Sequence, residues 1–327
     1  MIYRCVNCGG NVVYSPENRR MMCLSCGGFD CQEVVSGEKT TQCPNCNSTI
    51  PFSEYGSAGR CPSCGTYVLR DEMVSYPYGA DVILPFMLSK RDAEEKLKAE
   101  FGRKLFMPGD FLSVKTLEHM RGVYVPFWLF DYQTDVDYNA VGTKVRHWVS
   151  GDRRYTETSY FQVYRKLHID FEGIPVDASL EMNDQIMDLM EPYEYKDLLQ
   201  HDNKFLSGFE SEAYNFTPDQ MEPRAVQKAE RDTNEWVARS VSGYHTLTSV
   251  NKNTHHNRVA NRCALLPVWI YEYRYHGKNY QFYVNGQTGK CVGTPPVSIG
   301  RAIAMTAGLW ACIFAGLEAF ALMLGVI

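Results

Sequence analysis

Three observations predict an α+β protein made of two small cysteine-held modules, a mixed β-sheet domain with a weak internal repeat, and one apolar terminal helix. The first 64 residues carry the pairs Cys5/Cys8, Cys23/Cys26, Cys43/Cys46 and Cys61/Cys64, each spaced CxxC. Residues 125–132 (VPFWLFDY) are echoed 141 positions later by residues 266–273 (LPVWIYEY). Residues 302–327 are apolar apart from Thr306 and Glu318.

The cysteine pairs form two sets of four. Within each set 14 residues separate the pairs, and adding 38 to each number of the first set gives the second, so the module is duplicated. A CxxC turn aims two thiolates at one tetrahedral ion, and a second CxxC on a facing hairpin closes a four-sulfur site. The spacing therefore predicts two zinc ribbons, over residues 1–36 and 37–68, each with one Zn2+. Four disulfides are the secreted-domain alternative, but no apolar leader precedes Cys5. Iron uses similar thiolate sets, and spacing alone leaves that choice open. After the second cysteine of each knuckle come Gly9, Gly27, Asn47 and Gly65, all tolerant of left-handed backbone, which a knuckle needs to turn N–H groups toward sulfur. Cys31 lies outside both sets and reads as a free thiol on a connecting strand. Each module has too few apolar residues for a core, so metal is expected to hold it folded.

With 45% hydrophobic and 13% aromatic residues, the rest of the chain can bury a sizeable core. A net charge of −5 argues against a protein that coats nucleic acid. Residues 1–70 sharpen this: Arg4, Arg19, Arg20, Lys39, Arg60 and Arg70 face five carboxylates, Glu17, Asp30, Glu33, Glu38 and Glu54, leaving no basic stripe.

Residues 69–82, with Tyr76-Pro77-Tyr78-Gly79, read as a linker. Residues 83–300 then form one α+β domain. It opens on a short apolar strand at residues 82–86, followed by a capping box at Ser89-Lys90-Arg91-Asp92 and a helix to about Gly102 whose buried stripe is Ala93, Leu97 and Phe101. The two Pro-x-Trp echoes each begin a strand-rich stretch, the second ending in a hairpin at Asn285-Gly286. A helix from about Thr217 to Gly243 lies between them. Residues 171–197 hold eight carboxylates against Lys196 alone and read as a solvated acidic surface, with a docking site for a basic partner as the sharper alternative.

None of the nucleophile-elbow, Walker, zincin, dinucleotide or kinase motifs occurs. His255-His256 sits in a polar stretch that reads as a loop tip. No catalytic residue is named, and the protein is expected not to be an enzyme.

The apolar run, taken with Arg301 as residues 301–327, is long enough for a transmembrane helix, since ~20 residues cross a ~30 Å hydrocarbon core. Ala304, Gly308, Cys312 and Gly316 repeat every fourth residue, a face on which another helix can pack. Glu318 would cost about 2.5–3.5 kcal/mol if charged at mid-bilayer and should be neutral, interfacial or partnered. Lys290 and Arg301 flank the helix on its N-terminal side, which with the reduced cysteines predicts a single-pass, tail-anchored protein of the cell membrane with its domains in the cytoplasm.

Beyond the cysteines and the apolar tail, residues 122–131 (GVYVPFWLFD), 156–160 (TETSY), 174–177 (IPVD), 266–269 (LPVW) and 285–289 (NGQTG) resemble a bacterial family of TFIIB-type zinc-ribbon membrane proteins often labelled primosomal-helicase-like. The resemblance covers nearly the whole chain and is greatest to YdjG-like proteins of Gram-positive bacteria. It implies an adaptor in an envelope-stress system, with SPFH-like or phage-shock-type proteins as partners. Many relatives have one ribbon and more membrane helices, whereas this chain has two ribbons and one helix. The function expected is a membrane-tethered adaptor that recruits cytoplasmic proteins. A membrane-associated nucleic-acid-binding protein is the alternative, and an enzyme on the repeated sheet is a third possibility that needs a deep polar pocket.

Overall fold

The computed structural model describes residues 1–37, 41–75 and 79–323. Tyr76, Pro77 and Tyr78 of the expected linker lie outside them. In the first cysteine module, β1 (Ile2–Cys5) pairs with β4 (Gln32–Val35) and β2 (Val12–Ser15) with β3 (Arg20–Cys23), both antiparallel. The second contributes β5 (Gly56–Arg60) and β6 (Tyr67–Leu69). A short helix α1 (Asp71–Val74), β7 (Val82–Ile83), α2 (Lys90–Phe101) and α3 (Val114–Leu117) follow. The centre is β8 (Arg121–Ser150) and β9 (Arg153–Asp177), then α4 (Asp184–Met190), β10 (Leu199–Gln200), β11 (Glu210–Glu212) and α5 (Pro218–Ser240). The chain continues through β12 (Thr246–Tyr275), β13 (Lys278–Asn285) and β14 (Cys291–Val292) into α6 (Ile299–Met323).

β8 and β12 run antiparallel at the centre of one mixed sheet. The two echoed octets meet where Leu266 faces Val125 and diverge from that point, so they are related by a local pseudo-twofold axis. Each half reads short strand, helix, long strand, return strand: β7–α2–β8–β9 and β11–α5–β12–β13. The short strands cross over, β7 pairing parallel to β12 and β11 parallel to β8, so each pairs with the long strand of the other half. The carbonyls of Pro126 and Pro267 accept from the N–H groups of Ala178 and Gly286 at 2.8 and 2.9 Å, matching places in the two halves.

The apolar octets are covered on both faces, which explains their near-continuous hydrophobicity. Val123, Val125, Phe127 and Leu129 meet Met187 and Met190 of α4 on one face. On the other, Trp128, Phe130 and Tyr132 meet Ala225 and Ala229 of α5. The expected α2 stripe is buried, and Ser89 with Asp92 forms the capping box. Past residue 132 the strands alternate, with Val136, Tyr138 and Ala140 under α5. Beyond Thr143, which faces Thr246, β8 and β9 continue as a two-stranded ribbon.

Three sequence expectations change. His255-His256 is inside β12 and not at a loop tip. Asn251, Asn253, His255 and Asn257 face solvent while Lys252, Thr254, His256 and Arg258 turn toward α5, an alternation without apolar residues that propensity reads as a turn. The acidic stretch is not simply solvated: Arg224 bonds Asp177 at 2.7 Å and Asp188 at 2.9 Å, while Lys228 bonds Asp188 at 3.1 Å and also Glu191. Both cations come from α5, and Asp177 is buried beneath it. Of the expected linker, the described residues 69–75 and 79–82 lie against the body, with Leu69, Met73, Val74 and Val82 buried.

Candidate functional site

The four CxxC knuckles share one backbone geometry. In each, the residue after the second cysteine donates its N–H to the carbonyl of the first: Gly9 to Cys5, Gly27 to Cys23, Asn47 to Cys43 and Gly65 to Cys61, all at 2.8–2.9 Å. These four residues have φ between +62° and +74°. The expectation of left-handed backbone is met at every one, including the non-glycine Asn47.

The knuckles bring Cys5, Cys8, Cys23 and Cys26 together in one group and Cys43, Cys46, Cys61 and Cys64 in another, with the sulfurs of each group within 4.8 Å of one another. Cys5–Cys26 and Cys8–Cys23 are 3.8 and 3.5 Å apart, and Cys43–Cys64 and Cys46–Cys61 are both 3.6 Å apart. A tetrahedral ion with ~2.3 Å bonds to sulfur has edges of ~3.8 Å, so each group fits one four-thiolate ion, the donor set of structural zinc. Burial pushes the Cys43 thiol up to about 12, while the Cys26 backbone N–H helps hold Cys23 below the usual thiol range. Thiols this close all ionise together only around a cation. Cys31 was expected to stand apart, but its sulfur is 3.3 Å from that of Cys5. The duplicated position 38 residues on is Leu69, so only the first group has a fifth sulfur.

Neither module stands alone. Val12 and Tyr14 of the first join Phe205 and Phe209 in the main core, and Tyr14 N donates to Ser207 O at 2.7 Å. The second reaches the main sheet through β5, which pairs with β11. Where both modules meet the sheet, a groove of about 510 Å³ is lined by Val13, Tyr14 and Leu24 of the first, Arg60 and Tyr67 of the second, and Trp269 of the sheet. Val6 and Leu24, inside the first module's knuckles, are 61% and 59% exposed. The corresponding knuckle positions in the second module are Pro44 and Pro62.

Two other clusters have reactive-looking chemistry. Thr134 Oγ1 bonds His256 Nδ1 at 2.8 Å, and His256 Nε2 bonds Glu230 at 3.1 Å, an order reminiscent of a hydrolase triad. Thr134 is fully buried under α5, so no substrate reaches it and the chain of bonds braces α5 against the sheet. Glu212 lies at the end of β11 beside a second cleft, its carboxyl pushed up to about 7 by burial and accepting from Ser179 Oγ at 2.6 Å. Sequence offered no signal for either cluster, because their members come from segments far apart in the chain.

α6 is long and apolar enough to cross a membrane, and none of its span is buried against the body. No protein-family model matches the chain, and no solved structure matches it. It is 33% identical over 343 aligned positions to the uncharacterized protein YdjG of Bacillus subtilis (strain 168), covering 99% of this chain and 98% of that protein. The chain therefore belongs to the family of YdjG.

Proposed function

We propose that this protein is a membrane-tethered adaptor whose cysteine modules, each holding one Zn2+, present a docking surface for a cytoplasmic protein partner while α6 anchors it in the bilayer. The observation that carries this reading is Leu24, an apolar side chain left bare inside a metal knuckle and overhanging the groove where both modules meet the sheet. A rigid apolar tip beside a concave surface suits a protein partner, and the nearly balanced charge of residues 1–70 gives nucleic acid little to hold. The family resemblance adds membrane proteins of the SPFH-like or phage-shock type as the class of partner.

The test is capture of partners from membranes by the full-length chain, metal-loaded and after chelation, alongside Leu24→Asp and Cys43→Ser. Loaded wild type should capture a specific protein that Leu24→Asp loses, with both remaining in the membrane fraction after an alkaline wash. Cys43→Ser should unfold the second module and also lose the partner. Undiminished capture by demonstrably metal-free protein would sink the proposal. A salt-dependent shift of random DNA or RNA would replace it with the nucleic-acid reading.

A further inference from the structure

The start of α6 is fastened to the loop that follows α2. Ser298 N donates to Phe106 O at 2.6 Å, and the Arg301 guanidinium donates to Met107 O at 2.8 Å. A Cβ on Gly109 would lie 3.0 Å from Arg301 Nη2, so the loop backbone packs closely on the arginine. Residues 103–109 are thereby held beside the point where the apolar helix begins.

At that level the loop leaves Leu105 63% and Phe106 44% exposed, directly after Arg103 and Lys104. Lys104 lies over the Phe101 ring at 4.8 Å, and among the described residues neither it nor Arg103 nor Arg301 pairs with a carboxylate. Asp110, the acid that follows in the loop, instead accepts from Tyr273 Oη at 2.8 Å. Two neighbouring apolar side chains beside cations that no carboxylate neutralises have the composition of an interfacial membrane contact. Cations near an anionic leaflet gain roughly fivefold in surface preference each.

We propose that residues 103–106 form a second membrane contact, in which Leu105 and Phe106 enter the headgroup–acyl boundary and Arg103, Lys104 and Arg301 bind the phosphates of anionic phospholipids. It rests on α6 crossing the bilayer, and it adds an orientation. A single helix lets the body swivel, whereas a helix and a loop bonded to it fix which face of the sheet domain looks down at the lipid.

The full-length protein, reconstituted in vesicles, tests both points by quenching of tryptophan emission with lipids brominated high on the acyl chain. Trp310 within α6 reports insertion in the wild type. Leu105→Trp adds an indole on the loop. The added emission should be blue-shifted and quenched in phosphatidylglycerol-containing vesicles, at least fivefold less quenched in pure phosphatidylcholine, and solvent-like again when Arg103→Glu and Lys104→Glu are combined with it. An added indole that stays unquenched in phosphatidylglycerol vesicles while the wild-type signal is quenched overturns the loop contact and leaves the anchor standing. Equal quenching in both lipids overturns the anionic preference. Loss of wild-type quenching in both overturns the anchor, and the loop contact with it.

Discussion

Trp128 and Trp269 do the same job on opposite sides of a pseudo-twofold axis. Trp128 Nε1 donates to Phe216 O at 2.7 Å and Trp269 Nε1 to Leu88 O at 3.1 Å. Phe216 immediately precedes Thr217, the N-cap of α5, and Leu88 immediately precedes Ser89, the N-cap of α2. Each half's tryptophan thus fixes where the other half's helix begins, just upstream of a capping box.

Replacing either indole by phenylalanine removes that bond and some volume. Trp128→Phe and Trp269→Phe should each lower stability by about 1–3 kcal/mol in urea titrations. The residues they face, Cys263 and Gly122, put the two sites about six strand residues apart, roughly 20 Å. The double variant should therefore be additive to within ~0.5 kcal/mol. A much larger coupling would mean that the halves do not fold as separately capped units.

Cys31 tests which sulfurs bind metal. Wild type should bind two ions per chain, Cys26→Ser should retain one, and Cys31→Ser should keep two, as read by metal analysis of purified protein. If Cys31→Ser drops to one while Cys26→Ser keeps two, then Cys31 is the ligand and the 38-residue correspondence misassigned the site.

Glu212 makes stability depend on pH. Burial raises its carboxyl from 4.5 to about 7, so the folded state favours the protonated form. Its stabilising contribution is therefore complete below about pH 4.5 and lost as pH rises through about 7. Glu212→Gln should raise the melting temperature at pH 8, by the equivalent of up to about 3 kcal/mol, and leave it nearly unchanged at pH 5. Equal effects at both pH values would show that the wild-type carboxyl is not protonated in the fold.

Lys228 is buried between Asp188, Glu191 and the Pro175 carbonyl. Lys228→Met strands that group of acceptors and should cost about 3–5 kcal/mol near neutral pH. The loss should be smaller at pH 5, because burial already raises the Glu191 carboxyl and protonation relieves the unpaired charge. Thermal melts at the two pH values separate this from simple loss of volume, which would be insensitive to pH.

What could be read from sequence was whatever local chemistry repeats. Eight cysteines at fixed spacing, a left-handed residue after each knuckle, and the capping box at Ser89 are short-range signals, and the structure places each as expected. The Pro-x-Trp echo was visible, but the crossing of β7 and β11 between halves was not, because two- and three-residue strands have no periodicity to detect. Asn285-Gly286 marked a real turn between β13 and β14, although Asn285 works there by accepting N–H bonds from Gln287 and Thr288 at 2.9 Å. The acidic stretch misled because its counter-charges, Arg224 and Lys228, come from a later helix. The Cys31–Cys5 approach depends on the register of β1 with β4, a long-range pairing that spacing does not encode.

The pairing of β5 with β11 joins the second cysteine module to the edge of the main sheet by backbone hydrogen bonds. An ion held there is therefore a ligand of the whole sheet domain, and its binding adds to the unfolding free energy as RT ln(1 + [M]/Kd), with M the free metal. At a free concentration of about 100 times Kd the gain is roughly 2.7 kcal/mol, a sizeable share of an ordinary domain's stability. The folded population of the domain then follows metal supply, and chelation should lower its melting temperature as one cooperative transition.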